Sequence, residues 1–273
     1  MKSRFTKSIT LIFFIVMFLC SCANKQASLR DEGIEVFESG DYASAVELFT
    51  ECLETKAGTK LSRLQEDVLK YRADAYIRLE NYVSAAEDYI RLLDEADEDD
   101  TPLYKDLIAI CITRSNGDLD LALEYYRASQ GSPLHDDALE TLANASNIGY
   151  ESYRATIISL FTDAFAEDGR NHLQLYNALG MIYMNIEAYQ DALEAFESGL
   201  EVDETSIDLS YVNDEEVRSQ KIIEYKRQLL YNKAVANEYL GHYATAKEDF
   251  EEYIRLYGSN LDVQHEIDFL TTR

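Results

Sequence analysis

The feature that most constrains this chain is a spacing that returns five times. A small or compact residue is followed 12 positions later by Ala and, 4 positions further on, by an aromatic ring. The instances are Gly33–Ala45–Phe49, Ala73–Ala85–Tyr89, Ile110–Ala122–Tyr126, Gly180–Ala192–Phe196 and Ala234–Ala246–Phe250. Three positions before each Ala stands a large apolar residue: Tyr42, Tyr82, Leu119, Tyr189 and Tyr243. Turn signals precede it at Gly40-Asp41, Gly117-Asp118 and Gly241-His242, with weaker ones at Glu80-Asn81 and Glu187-Ala188. Residues four apart share one face of a helix, so each unit reads as two antiparallel helices closed by a tight turn. Small side chains such as Gly180 and Ala192 let the two backbones approach, and Phe196 fills the gap where they splay. Tyr189, at the turn, is expected to pack back over the first helix.

Composition supports an all-α chain. Two prolines and 11 glycines in 273 residues are too few turn-formers for a many-stranded sandwich or barrel. A hydrophobic content of 47% excludes wholesale disorder, so the net charge of −26 lies on the surface of a folded body. That charge opposes binding to nucleic acid, which needs clustered Lys and Arg, and equally opposes a polybasic grip on anionic lipid.

Residues 1–21 read as an address label. Lys2, Arg4 and Lys7 precede an unbroken apolar run of 12 residues, Ile9–Cys20. A membrane-spanning helix needs about 20, so the run is the core of a signal peptide. The Leu19-Cys20-Ser21-Cys22 that ends it resembles a bacterial lipobox, which implies cleavage before Cys22 and lipidation of its thiol. The alternative is an ordinary secretory signal with a chance cysteine. Cys20 competes for the role, but bulky Leu19 before it fits less well than Ser21 before Cys22. Two or more acyl chains give durable attachment, so the lipid anchor would hold an acidic body at a membrane that repels it. Ala23, where an Asp would favour inner-membrane retention, implies an outer-membrane or cell-surface address outside the cytoplasm. Residues 22–28 are expected to be a lipidated tether and 29–273 the repeat body.

The repeat itself resembles the tetratricopeptide repeat family. Tyr176-Asn177-Ala178-Leu179-Gly180 with Tyr183, Tyr189, Ala192, Phe196 and Leu200 follows that family's consensus. Leu230–Ile254 and Leu29–Leu53 are good matches, Leu69–Leu93 is fair, and Asp106–Ser129 is degenerate. Ala138–Phe165 keeps the helical period but lacks the small crossing residue, and makes a sixth, divergent unit. The resemblance implies an α-solenoid of about six helix hairpins. Linkers are expected at Lys56–Gln65 and Glu95–Thr101, a polar insert at Glu204–Asn213, and one unusually long helix over Glu215–Leu240. Leu261–Leu270 is expected to cap the open end of the stack.

Catalytic chemistry finds no foothold, and no enzyme activity, metal or cofactor is expected. The chain lacks the glycine-rich phosphate loops, the nucleophile elbow and the H-E-x-x-H zinc motif. His135, His172, His242 and His265 are scattered, and Glu95–Asp100 lacks the glycine and terminal Glu of a calcium loop, so it reads as a solvated acidic linker. Cys52 and Cys111 either form one disulfide or, more simply, stay as two buried, inert thiols.

Binding is the expected function. In the family the first helices of the hairpins line a concave groove that generally receives peptides or partner helices. Carried over copy by copy, Arg30, Lys70, Tyr71, Asp74, Arg78 and Arg114 are expected to face inward in the N-terminal half. Asn177, Met181, Met184, Tyr231, Asn232 and Tyr239 are the counterparts in the C-terminal half. The four cations of the first set form either a basic strip for an acidic segment or a set of local ion pairs with neighbouring carboxylates. The polar clamp that some members use on chaperone C-termini is broken, because Arg30 and Ile34 stand where Lys and Asn are needed. The expected partner is thus an unidentified protein or peptide. Components of envelope assembly and cell-wall hydrolase adaptors are narrower readings. A glycan- or solute-binding lipoprotein is the other class, and it requires several aromatic residues grouped in one groove.

Overall fold

A computed structural model describes residues 25–54, 60–95, 99–166, 172–203 and 214–273. Among the described residues every regular element is a helix. The chain divides into two compact units, Met1–Ser132 and Pro133–Arg273. Cys22 and the signal segment lie outside the described residues, as does the insert Glu204–Asn213. No helix among the described residues is long and apolar enough to cross a membrane.

The first unit holds α1 (residues 25–38), α2 (Tyr42–Glu54), α3 (Arg63–Arg78), α4 (Tyr82–Leu93), α5 (Thr101–Arg114) and α6 (Leu119–Arg127). Successive helices pack on one another, so the unit is a stack of three hairpins. Part of the segment expected as a tether belongs to the first helix. Residues 25–28 are already helical, and Gln26 Nε2 donates to the Cys52 carbonyl at 3.2 Å. The second unit holds α7 (His135–Asn147), α8 (Arg154–Phe165), α9 (Leu173–Asn185), α10 (Tyr189–Glu201), α11 (Glu215–Tyr239), α12 (Tyr243–Tyr257) and α13 (Leu261–Leu270). Here α9 packs on α10 and α11, α11 on α12, and α13 closes the stack against α12. The long helix and the capping helix both form. α7 and α8 are separated by a turn of 3-10 helix at Glu151–Tyr153, and α7 lies against α9 as well as α8. Each unit is an α-solenoid of helix hairpins.

The five spacings act as expected where the first residue is glycine. A Cβ built on Gly180 would lie 2.2 Å from a ring carbon of Phe196, and one on Gly33 would lie 2.5 Å from a ring carbon of Phe49. Phe49, Phe196, Phe250 and the alanines Ala45, Ala192 and Ala246 are all fully buried. The hairpin turns need one residue of left-handed backbone. Gly40 and Gly241 supply it, whereas Glu80, Asn116 and Glu187 adopt it at φ of 57, 54 and 61°. In the third hairpin the left-handed residue is therefore Asn116 and not the neighbouring Gly117. Tyr189 departs from expectation: its ring stacks on Tyr239 of α11, with centroids 4.7 Å apart.

A polar feature shares the register of the packing residues. Arg72, just before Ala73, forms a two-pronged bond to Asp88, just before Tyr89, at 2.6 and 2.8 Å. In the last hairpin Lys233, just before Ala234, reaches Asp249, just before Phe250, at 2.7 Å. Asn237 Nδ2 donates to the other oxygen of Asp249 at 2.9 Å, so that carboxylate is held from two sides. Cys52 and Cys111 are both buried and unbridged, and burial pushes the Cys111 thiol up to about 12. Such a thiol has no thiolate at neutral pH and is inert.

Candidate functional site

In the first unit the anticipated groove residues are largely satisfied within the fold. Arg30 Nε donates to Asp67 at 2.5 Å, and Arg30 also pairs with Asp31 at 2.8 Å. Lys70 lies 5.9 Å from the centre of the Tyr104 ring; the Tyr104 hydroxyl beside it, with Asp100 and Glu66, raises its pKa against the opposing effect of burial. Arg114 sits over the Tyr82 ring at 5.7 Å. Asp74 accepts the Tyr89 hydroxyl at 2.9 Å, and Arg78, one turn along α3, adds its field to that carboxylate. Tyr71 is a packing residue, with its ring edge-on to Phe37 and stacked on Phe49. The four cations thus sit beside carboxylates or rings of their own unit.

The second unit differs. Asn232 Nδ2 donates to Asn177 Oδ1 at 2.7 Å, linking α11 to α9, and Gln228 continues the row toward Glu224 at 2.9 Å. Met181 and Met184 are half-buried against the core shared by α9, α10 and α11. Tyr231 and Tyr239 come together in a cleft of about 300 Å³ between α11 and α13. Tyr231 leans edge-on against Phe250 and Tyr253 at its base. Tyr239 is 61% exposed, and its only support is the stack on Tyr189 among the described residues.

The remaining walls of that cleft lie outside the set anticipated from sequence. α11 adds Val235 and Glu238, while α13 adds Glu266 and Phe269. Tyr231, Val235, Glu238 and Tyr239 recur at steps of three and four, which is one stripe of α11 and a signal the sequence did carry. Glu266 and Phe269 were hidden because α13 reads only as a cap. Neither Glu238 nor Glu266 makes a side-chain hydrogen bond or ion pair among the described residues. Burial and the neighbouring Glu266 push the Glu238 carboxyl above its usual range, with Arg273 pulling against them. Burial raises the Tyr231 phenol, and Glu266 and Asp262 raise it further. The cleft is therefore a half-enclosed, aromatic-walled pocket with a negative field.

No group of three or more His, Cys, Asp or Glu that could hold a metal ion occurs among the described residues.

Comparison with known proteins follows the repeat. Residues 173–206 and 228–260 match the tetratricopeptide repeat family, and these stretches contain α9 with α10 and most of α11 with α12. No curated protein matches the chain. Among solved structures it is similar to a tetratricopeptide repeat protein from Parabacteroides merdae, at 15% identity over 91% of this chain and 84% of that one, with a TM-score of 0.48. The C-terminal part of a repeat-containing protein from Cytophaga hutchinsonii is 14% identical over 87% of this chain and 99% of that one, with a TM-score of 0.49. The TPR2AB domain of yeast Sti1, in its complex with pHSP90, is 17% identical over 90% and 97%, with a TM-score of 0.34. Residues 173–206 and 228–260 are thus matched as two tetratricopeptide repeats, seated on the hairpins that carry the Gly180–Phe196 and Ala246–Phe250 packing.

Proposed function

We propose that the protein is a scaffold that receives a partner protein or peptide on the first-helix face of its second unit, and that it does so outside the cytoplasm, tethered by lipid at Cys22. The observation that carries the binding reading is the cleft between α11 and α13. It joins exposed aromatic surface to polar groups that the fold leaves unanswered, as recognition sites do. The first unit, whose corresponding side chains lie beside carboxylates or rings of that unit, acts as the support. The tether rests on the signal-like segment and on Ser21-Cys22.

Two experiments test this. Crosslinking from a photoreactive residue placed at Tyr239, in the full chain expressed in a bacterium, should trap a defined partner; the same probe at Lys60, on the first unit, should not. Equal products from both positions would remove the site from consideration. For the tether, a clickable fatty acid should label the wild-type chain and leave Cys22→Ala unlabelled; label on both would exclude Cys22.

A glycan-binding reading is favoured by one observation, the grouping of Tyr231, Tyr239 and Phe269 in one cleft. A saccharide array that retains the protein, with loss on Tyr239→Ala, would support it over the peptide reading.

A further inference from the structure

The cleft already contains a cation, and it comes from the chain itself. The guanidinium carbon of Arg273 lies 4.6 Å from the centre of the Phe269 ring and 5.7 Å from that of Tyr243. Both distances fall within the range of a cation–π contact. Arg273 reaches no carboxylate within ion-pair distance among the described residues, although Glu238 feels its field. The arrangement is thus half complete: the rings have their cation, and the two acids behind them do not. Arg273 also borders a second hollow, formed by Gly241–Thr245, so its side chain separates two adjoining spaces.

We infer that this cleft is a seat for an arginine side chain of the partner, and that Arg273 is the resident occupant which that arginine displaces. The inference rests on the binding reading above and names the chemistry of the partner. A planar guanidinium can lie on Phe269 while its N–H groups reach toward Glu238 and Glu266, which an ammonium can do only as a point charge. Its three methylenes suit a cavity of about 300 Å³ walled by Tyr231 and Val235. An incoming arginine that contacts rings and acids together outcompetes one that contacts rings alone. An acidic or carboxy-terminal segment is excluded here by the sign of the field. The anionic surface of the chain, −26 overall, favours approach of a basic segment as well.

The test uses the full chain in detergent and a fluorescein-labelled peptide, Gly-Ser-Arg-Gly-Arg-Ser-Gly, read by anisotropy. Citrulline and lysine versions of the peptide serve as probes of charge and shape. The arginine peptide should bind at least about tenfold more tightly than the citrulline one, since a charge-assisted hydrogen bond has that order of effect. Glu266→Gln and Glu238→Gln should each weaken the arginine peptide about tenfold, with a thermal midpoint no lower than that of the wild type as proof of folding. Arg273→Ala should strengthen it several-fold by vacating the seat. Equal binding of arginine and citrulline peptides, indifference to both Glu variants, or weaker binding by Arg273→Ala would each overturn the inference. If the Tyr239 crosslink forms while the arginine peptide fails to bind, the scaffold reading stands and the arginine seat falls. If neither is seen, both fall.

Discussion

The first and last complete hairpin stacks of this protein use the same interior and opposite exteriors. Arg72–Asp88 in the first unit and Lys233–Asp249 in the second occupy one register of the repeat, each a cation and an Asp placed just before the packing residues. On the outward face the units part. The first unit answers its cations with its own groups, Arg30 with Asp67 and Arg114 with the Tyr82 ring. Among the described residues, the second leaves Glu238 and Glu266 without an ion-pair partner beside the exposed ring of Tyr239. A repeat therefore fixes how helices stack and leaves the exposed first-helix positions free to make either an inert surface or a receptive one. Net charge is a poor guide to which results, because the whole chain is acidic while the cleft between α11 and α13 sets two acids among aromatic walls.

The comparison can be broken most severely at the buried pairs. Asp88→Ala strands the Arg72 guanidinium, whose side chain is only 12% exposed, and should destabilise the first unit by about 3–5 kcal/mol. Asp249→Ala should cost less, because Lys233 at 20% exposure can swing its ammonium to water. Chemical denaturation of both variants, followed by circular dichroism, checks the order; equal losses would mean that the shared register is not an energetic equivalent.

A smaller effect is expected at the crossing residues. Gly180→Ala forces the Phe196 ring aside and should destabilise the second unit by about 1–3 kcal/mol, partly offset by the better helix propensity of Ala. Gly33→Ala, with slightly more room beneath Phe49, should cost less in the first unit. Calorimetry of the two variants ranks them.

Acid should act on the cleft. Glu238 is faced by Glu266 from α13, by Arg273 beyond it and by Tyr231 on its own helix, while Tyr243 closes the cleft from α12. Because burial and Glu266 raise its carboxyl, Glu238 takes up a proton at a higher pH than a solvated glutamate does. Affinity for the arginine peptide should therefore fall, as the pH is lowered, before ordinary surface carboxylates titrate. An anisotropy series across the acid range gives the midpoint, and a profile identical to that of Glu238→Gln would contradict it. Stability moves the other way. The folded chain holds this proton more tightly than the unfolded one, so the contribution is present below the unfolded value and is lost as the pH rises through the raised folded value. Glu238→Gln should thus raise the melting midpoint slightly at neutral pH and leave it unchanged in acid.

The smallest effect belongs to the exposed pair in the first unit. Asp67→Asn should change stability by no more than about 1 kcal/mol, since both partners are about one-third exposed. A larger loss by urea denaturation would show that this pair does more than neutralise a surface charge.

Much of the architecture was legible because the packing requirement is local and repeated. Gly180, Ala192 and Phe196 meet at fixed spacing, and the long helix and the cap follow from the apolar period around them. The paired charges were harder to see, since Arg72 and Asp88 lie on different helices and become neighbours only once the repeat register is laid out. In the candidate site Tyr231 and Tyr239 were visible as first-helix positions. Glu266, Phe269 and Arg273 were not, because the cap's residues acquire meaning only when α13 is set against α11. Tyr71 went the other way: its helical position suggested a lining residue, and its ring fills the space beside Phe37 and Phe49.

The three hairpin turns built on Glu80, Asn116 and Glu187 hold an unused reserve. Each places a side chain in a backbone region that costs an ordinary L-residue about 1–2 kcal/mol and glycine almost nothing. Installing glycine at the two glutamates, whose side chains do not enter the core, offers a route to a more heat-tolerant scaffold without altering a single interhelical contact, and hence a sturdier background on which weakening changes in the cleft can be studied.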